Sequence, residues 1–321
     1  MKTKGAILTG LAVFFMTGHP KLHGAGVEDS FAAGVRATDP LSPTVQQSMF
    51  DLAPGFEIEL VASEPDIAKP MNMAFDARGR LWVTDTLEYP YPVDLTEKGR
   101  DSIKVLTDTN GDGLYDQVTT FADGLNIPIG LYPYGNGVLA WSIPNIWWFE
   151  DTDGDGEHDH RKIFWDEGQR VTGITLGFGG VWVTSAPNLL FIPDRDRNDV
   201  PDSAPIALLD GFSTRARHNM VNGLRWGPDG WLYGRHGITD TSHVRTADSP
   251  EGKSTKLNCS IWRYHPSRQK FEVVTHGTTN PWGLDYDQHG QWFFTNNVIN
   301  HLWHVVPGAH YQRMFGDDFN P

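Results

Sequence analysis

The chain has 321 residues, among them 34 Gly, 21 Pro, 12 Trp, 17 Phe and 9 Tyr. That much Gly and Pro excludes a helical bundle or coiled coil, and the aromatics exclude a disordered chain. With 26 basic and 40 acidic residues, a formal charge of −14 argues against a nucleic-acid partner, which needs a basic face, and the single cysteine, Cys259, excludes an intramolecular disulfide and a cysteine zinc cluster.

At the N-terminus, Lys2 and Lys4 precede an apolar run at residues 6–16. Eleven residues are too few to span a bilayer but suit the core of a secretory signal. Residues 1–26 are expected to be a signal peptide, with Gly24, Ala25 and Gly26 offering the cleavage site. The expected location is secreted or periplasmic, and no later segment is apolar enough to cross a membrane. Residues 27–50 lack periodicity and read as a spacer ahead of a domain at residues 51–321.

A repeat organises that domain. Acidic segments at residues 108–116, 151–159 and 194–202 start 43 residues apart each time. A second motif, a glycine leading into an aromatic or aliphatic strand, starts at Gly79, Gly137, Gly180, Gly230 and Gly290. A period in the forties built from short strands is the signature of four-stranded propeller blades, so the expected fold is an all-β propeller. Innermost strands are predicted at residues 72–76, 128–132, 173–178, 223–227 and 283–287, each followed by the glycine-led second strand. Third strands follow at 103–107, 146–150, 189–193, 261–265 and 302–306, and outer strands at 117–122, 161–165, 205–209 and 271–275. A leftover strand at residues 56–62 is expected to act as an outer strand and close the ring across the chain ends. About five blades of an expected six are legible, which implies that the reading frame continues beyond Pro321.

The acidic loops have the chemistry of calcium sites, which need six to eight hard oxygen ligands. The first supplies Asp108, Asn110, Asp112 and Asp116, the second Asp151, Asp153, Asp155 and Asp159, and the third Asp194, Asp196, Asn198 and Asp202. None is an EF-hand, because the twelfth positions hold Thr119, Lys162 and Pro205 rather than Glu. The alternative is a set of solvated Asx-turn hairpins. In a propeller these third-to-outer strand loops lie on the face opposite the connections between blades. The channel mouth then receives Arg217, His218, Asn222, Arg235 and Asn280. Arg, His and Asn together suit a polyanionic or quinone-like ligand, with His as a general base near neutral pH.

The segment from His218 through Asn222-Gly-Leu-Arg-Trp-Gly-Pro-Asp-Gly230 resembles the soluble quinoprotein glucose/sorbosone dehydrogenases, whose matching His is a catalytic base. Asn280-Pro-Trp-Gly-Leu284 is similar to that family's Arg-Asn-Pro-x-Gly-Leu motif, and Pro307-Gly-Ala-His-Tyr311 to its Pro-Gly-x-Asn-Tyr run. Thr279 replaces the motif's arginine. The overall pattern over about residues 50–321 is closest to bacterial proteins of the membrane-bound dehydrogenase type, in which such a propeller precedes helical repeats and a cytochrome c module. The resemblance implies His218 as base, Arg217, Asn222, Arg235 and Asn280 as cofactor or substrate contacts, pyrroloquinoline quinone as cofactor, and a sugar or polyol as substrate. Electrons would pass to haem c in a downstream module. The plainer alternative is a non-catalytic secreted propeller binding glycan or protein, with His218 capping a loop and the asparagines satisfying turns. Trp82, Trp182, Trp231 and Trp292 recur at strand positions and read as blade packing.

Overall fold

The computed structural model describes residues 38–316 except residue 251, so the expected signal peptide and the start of the spacer lie outside the described residues. The chain divides into two compact units, Met1–Leu60 and Val61–Pro321. In the first, α1 (Pro43–Gln47) is a single turn capped by Ser42, whose side chain accepts from Val45 N. Pro43 stands in the first turn, where its missing N–H is not needed. The strand expected at residues 56–62 is not formed, and Phe56, Ile58, Leu60 and Val61 are exposed. The residues alternate as a strand should, but a strand also needs a neighbouring edge for its backbone groups, and alternation alone does not supply one.

The second unit is an all-β propeller of five blades. Blade 1 comprises β1 (Lys69–Phe75), β2 (Leu81–Thr86), β3 (Asp101–Thr107) and β4 (Gln117–Leu125), paired in that order. Blade 2 comprises β5 (Ile129–Tyr134), β6 (Gly137–Ser142), β7 (Asn145–Glu150) and β8 (His160–Trp165). Blade 3 begins with β9 (Val171–Leu176), β10 (Gly180–Ser185), β11 (Asn188–Pro193) and β12 (Ile206–Asp210). Blade 4 opens with β13 (Val221–Trp226) and β14 (Leu232–His236). The chain then leaves it for a hairpin, β15 (Ser242–Thr246) and β16 (Thr255–Leu257), whose β15 pairs with β12 and widens blade 3 to six strands. Blade 4 resumes with β17 (Ser260–His265) and β18 (Lys270–Gly277). Blade 5 has β19 (Pro281–Tyr286), β20 (Trp292–Asn296) and β21 (Leu302–His304), and β22 (His310–Tyr311) returns to run parallel to β18. The innermost strands adjoin in the order β1, β5, β9, β13, β19. Between the last and the first, Trp282 Nε1 donates to Met71 O at 2.8 Å, while Met73 and Phe75 on β1 stay exposed.

The glycine motif has a local cause. Asp76 Oδ1 accepts from Arg78 N and Arg80 N at 2.9 and 3.0 Å, and Asp287 Oδ1 from His289 N and Gln291 N at 2.9 and 2.8 Å. Each turn ends on a glycine in the left-handed region, Gly79 at φ +80° and Gly290 at φ +75°, a conformation that a Cβ disfavours. The next residues enter the second strand, whose large side chains fill the space between blades. Leu139, Trp141, Ile174, Val181 and Val183 form one such core, and Trp182, Leu232 and Trp262 belong to the next. Trp82, Trp182, Trp231 and Trp292 are all buried, as blade packing requires.

Backbone hydrogen bonds sort the loops by face. Connections between blades meet loops between second and third strands, as in Ile143 N to Asn126 O at 2.9 Å and Asn297 N to Asn280 O at 3.0 Å. The acidic loops meet the innermost hairpins instead, as in Asp151 N to Asn136 O and Asp194 N to Gly179 O, both at 3.0 Å. Among the described residues, no helix is long and apolar enough to cross a membrane.

Candidate functional site at the channel mouth

His218 lies on the connection from β12 to β13, and its Nδ1 is hydrogen-bonded to the hydroxyl of Tyr89. The rings meet edge to face with centroids 5.6 Å apart. Tyr89 belongs to the connection from β2 to β3, and blades 1 and 4 are not neighbours, so this contact links separated blades on the mouth face. Asp101, 1% exposed, holds the start of the Tyr89 segment by accepting from Thr86 Oγ1, Leu87 N and Glu88 N at 2.8, 2.6 and 3.0 Å. It also accepts from Ile127 N at 2.7 Å, which joins blade 1 to the entry of blade 2. Lys69 Nζ donates to Leu87 O and Tyr89 O, and the Asn126 amide exchanges bonds with Val93 N and O. Burial pushes the Tyr89 hydroxyl above the usual phenol range, so it stays protonated at neutral pH. Its oxygen can accept from His218 Nδ1–H, which leaves Nε2 with a free lone pair.

Asn222 and Arg235 sit opposite each other on β13 and β14 and are both buried. Arg235 Nε donates to Asn222 Oδ1 at 2.8 Å, and Asn222 Nδ2 donates to Met220 O at 3.1 Å. Burial pushes the Arg235 pKa down to about 9, so the guanidinium still carries its charge at neutral pH. Asn280 is buried, its N donating to Asn296 Oδ1 at 3.2 Å and its own Oδ1 lacking a partner. Arg217 is exposed beside His218. Arg170 Nη1 donates to Thr214 O and Ala216 O and steadies the segment leading to His218. Thr279 is buried, its hydroxyl accepting from Met314 N at 3.2 Å. Buried Cys259 donates its Sγ–H to Thr279 O at 3.2 Å. The fold thus brings every residue predicted for the mouth to the same face. Arg170 and the loop from Asp85 to Ser102, which holds Tyr89 and Asp101, are also expected at the mouth from the sequence, but without individual roles. Tyr89 and Asp101 lie in a non-periodic stretch that resembles no motif, and the partners of Arg170 are carbonyls, which no side-chain pattern reveals.

The three acidic loops lie on the other face and share one hydrogen-bond plan. Asp108 accepts from Gly111 N and Gly113 N at 2.7 and 2.9 Å, and Asp151 from Gly154 N and Gly156 N at 2.6 and 3.0 Å. Asp116 and Asp159 likewise accept from Thr109 and Thr152. In the second loop, Asp151, Asp153 and Asp159 bring carboxylate oxygens within 4.8 Å of one another; Asp155 is not part of that group. Among the described residues no comparable group forms at Asp108, Asp112 and Asp116 or at Asp194, Asp196 and Asp202. The third loop keeps the plan without glycines, with Asp194 accepting from Asn198 N and Asp199 N at 3.1 and 3.3 Å. Asp196 and Asn198 accept from Asn198 N and Val200 N in turn. Desolvation, with the charges of Asp199 and Asp196 nearby, raises the Asp194 pKa. Lys162 Nζ from blade 2 donates to Asn198 O at 2.6 Å and lies 3.7 Å from Asp199.

The fold and this mouth define a β-propeller with a polar, partly cationic site on the face where its blades are joined. A profile described as a domain of unknown function, DUF7133, matches residues 42–168 and 146–318, and the chain belongs to that family. No curated protein matches the chain. Among solved structures it is similar to a gluconolactonase from Xanthomonas campestris, at 19% identity and a TM-score of 0.40, covering 56% of this chain and 58% of that one. It is also similar to the PQQ-bound aldose sugar dehydrogenase of Streptomyces coelicolor, at 18% identity and a TM-score of 0.37, over 79% of this chain and 64% of that one. A calcium structure of a Trichoderma reesei carbohydrate-active enzyme of family AA12 aligns at 11% identity and a TM-score of 0.36, over 80% and 96% of the two chains. Likenesses this distant leave the chemistry of the site to the chain's own residues.

Proposed function

We propose that the chain is an exported, quinoprotein-like dehydrogenase that oxidises a sugar or polyol at the channel mouth. The observation that carries this reading is the His218–Tyr89 pair linking blades 1 and 4. With Tyr89 engaging Nδ1, His218 Nε2 takes the proton of the substrate hydroxyl. Asp101 and Lys69 position Tyr89 and so fix the imidazole. Asn222, Arg235, Asn280 and Arg217 orient the ligand through an amide, a buried cation, an unpartnered amide oxygen and an exposed cation. These residues fit pyrroloquinoline quinone in donor type. Thr279 stands where the family motif has arginine, so positive charge falls to Arg235 and Arg217. When bound, that cofactor supplies the hydride acceptor. Export rests on the signal peptide expected at residues 1–26, and in this reading a cytochrome c module is the electron acceptor.

Calcium is proposed for the first two acidic loops, with Asp151, Asp153 and Asp159 the best-gathered set. In the third loop the Lys162 ammonium already brings positive charge to Asn198 O.

The test is dye-linked oxidation of a sugar and polyol panel by the full-length protein, with and without pyrroloquinoline quinone. Turnover should require the quinone, and His218→Ala should lower kcat by about 10²-fold or more with an unchanged melting temperature. A folded protein with no quinone-dependent turnover across the panel would make it a binding propeller.

A further inference from the structure

Blades 1, 3 and 5 carry a threonine at one matching place on the second strand: Thr84 opposite Asn72, Thr184 opposite Gly173 and Thr295 opposite Gly283. Two of these hydroxyls pin the kinked inner strand, Thr84 Oγ1 accepting from Asn72 N and Thr295 Oγ1 from Gly283 N, both at 3.0 Å. Blade 2 has Ala140 at that place, opposite Leu131, and blade 4 puts Arg235 there, opposite Asn222. A Cβ on Gly223 would lie 1.5 Å from Arg235 Nη2, so the guanidinium lies across the innermost strand at that glycine. Gly223 in turn packs against Gly173 of blade 3.

Arg235 is 8% exposed, and it is the only Arg or Lys among the buried described residues. Arg80, Arg100, Arg215 and Arg263 each hold a carboxylate. Among the described residues Arg235 holds none, and its one side-chain bond is to the neutral amide of Asn222. Among the described residues its two terminal nitrogens have no hydrogen-bond partner, and neither nitrogen is fully enclosed. A buried cation with an open fork and no counter-charge is costly unless an anion completes it, and the fork matches a carboxylate. On the same mouth face, Asn219, whose backbone adjoins Gly237, and Asn280 each have a buried side-chain oxygen with no partner among the described residues, an acceptor suited to a hydroxyl donor.

We propose that Arg235 and Asn222 form the receptor for the carboxylate of a polyhydroxy acid of the sugar-acid class, with Asn219 and Asn280 taking its hydroxyls. This rests on reading the mouth as the substrate site, but not on turnover. The probes are gluconate and galacturonate against glucose, titrated calorimetrically into the full-length protein without quinone. The acids should bind at least about tenfold more tightly than glucose, and more weakly as salt rises. Asn222→Asp places an internal carboxylate beside the guanidinium. It should keep or raise the melting temperature and weaken the acids at least about tenfold more than it weakens glucose. Should that variant fail to fold, Arg235→Lys retains the charge without the fork and should weaken the acids more than glucose. Equal binding of acids and glucose overturns the proposal, and so does unchanged acid binding in Asn222→Asp. If only pyrroloquinoline quinone binds and weakens in Asn222→Asp, the carboxylate belongs to the quinone and the sugar-acid assignment falls. Acid binding without dehydrogenase activity removes the function proposed above and leaves this receptor standing; activity without acid binding does the reverse.

Discussion

His236 follows Arg235 in the chain and is buried, with Nδ1 donating to Gly237 O at 2.8 Å and Nε2 accepting from Ser242 Oγ at 2.7 Å. Desolvation lowers its pKa from 6.5 to about 4. Because the folded value lies below the unfolded one, neutral His236 contributes stability that is fully present above pH 6.5 and is lost as pH falls through about 4. The loss is on the order of 3 kcal/mol, read as a falling denaturation midpoint across that window. His236→Gln should flatten that slope, and an equal slope in both proteins would assign the acid sensitivity elsewhere. Tyr89→Phe tests the other histidine. It should lower kcat about tenfold with little change in KM and alter the pH profile of turnover, whereas a purely structural tyrosine would leave the profile alone. At this scale His218, Asn222 and Arg235 were legible because they flank a recognisable glycine-led motif. The Tyr89 partnership was not, because 129 residues separate the pair and only the closure of the ring brings them together.

The repeating element was read well where chemistry repeats. Inner, second, third and outer strands fall where the turn residues and the 43-residue spacing predicted. The hairpin of β15 and β16 falls outside the predicted strands, because its strands are short and β15 finds its partner on blade 3. The strand expected at residues 56–62 is not formed although its side chains alternate, and β21 remains the outer edge of blade 5. Close approach within the blade is just as specific. A Cβ on Gly234 would lie 2.1 Å from Trp262 Cζ2, so Gly234→Ala should cost about 1–3 kcal/mol in chemical denaturation by displacing the indole. For the acidic loops, calcium at about 100 times its dissociation constant should stabilise the protein by about 2.7 kcal/mol if one site fills. The rise in melting temperature should shrink in Asp151→Asn, and a chelator that leaves the melting temperature unchanged would return these loops to simple turns.

Across the whole molecule, five wedges follow one another around an axis, an order the period alone allowed to be predicted. What the period does not encode is the joint between the last wedge and the first, made by the Trp282 indole on Met71 O. Trp282→Phe keeps most of the ring's bulk and removes that bond, with an expected loss of about 1 kcal/mol in equilibrium unfolding. The acidic loops also fasten successive wedges on the far face: His158 of the second loop bonds Phe121 O on β4 through both N and Nδ1, at 2.9 and 2.8 Å. Lys162 on β8 reaches the third loop in the same sense. The second and third blades thus each send a loop back to a strand that the chain has already laid down. For those two blades the strike plate is in place when the bolt arrives, a catch that suits assembly in the direction of synthesis.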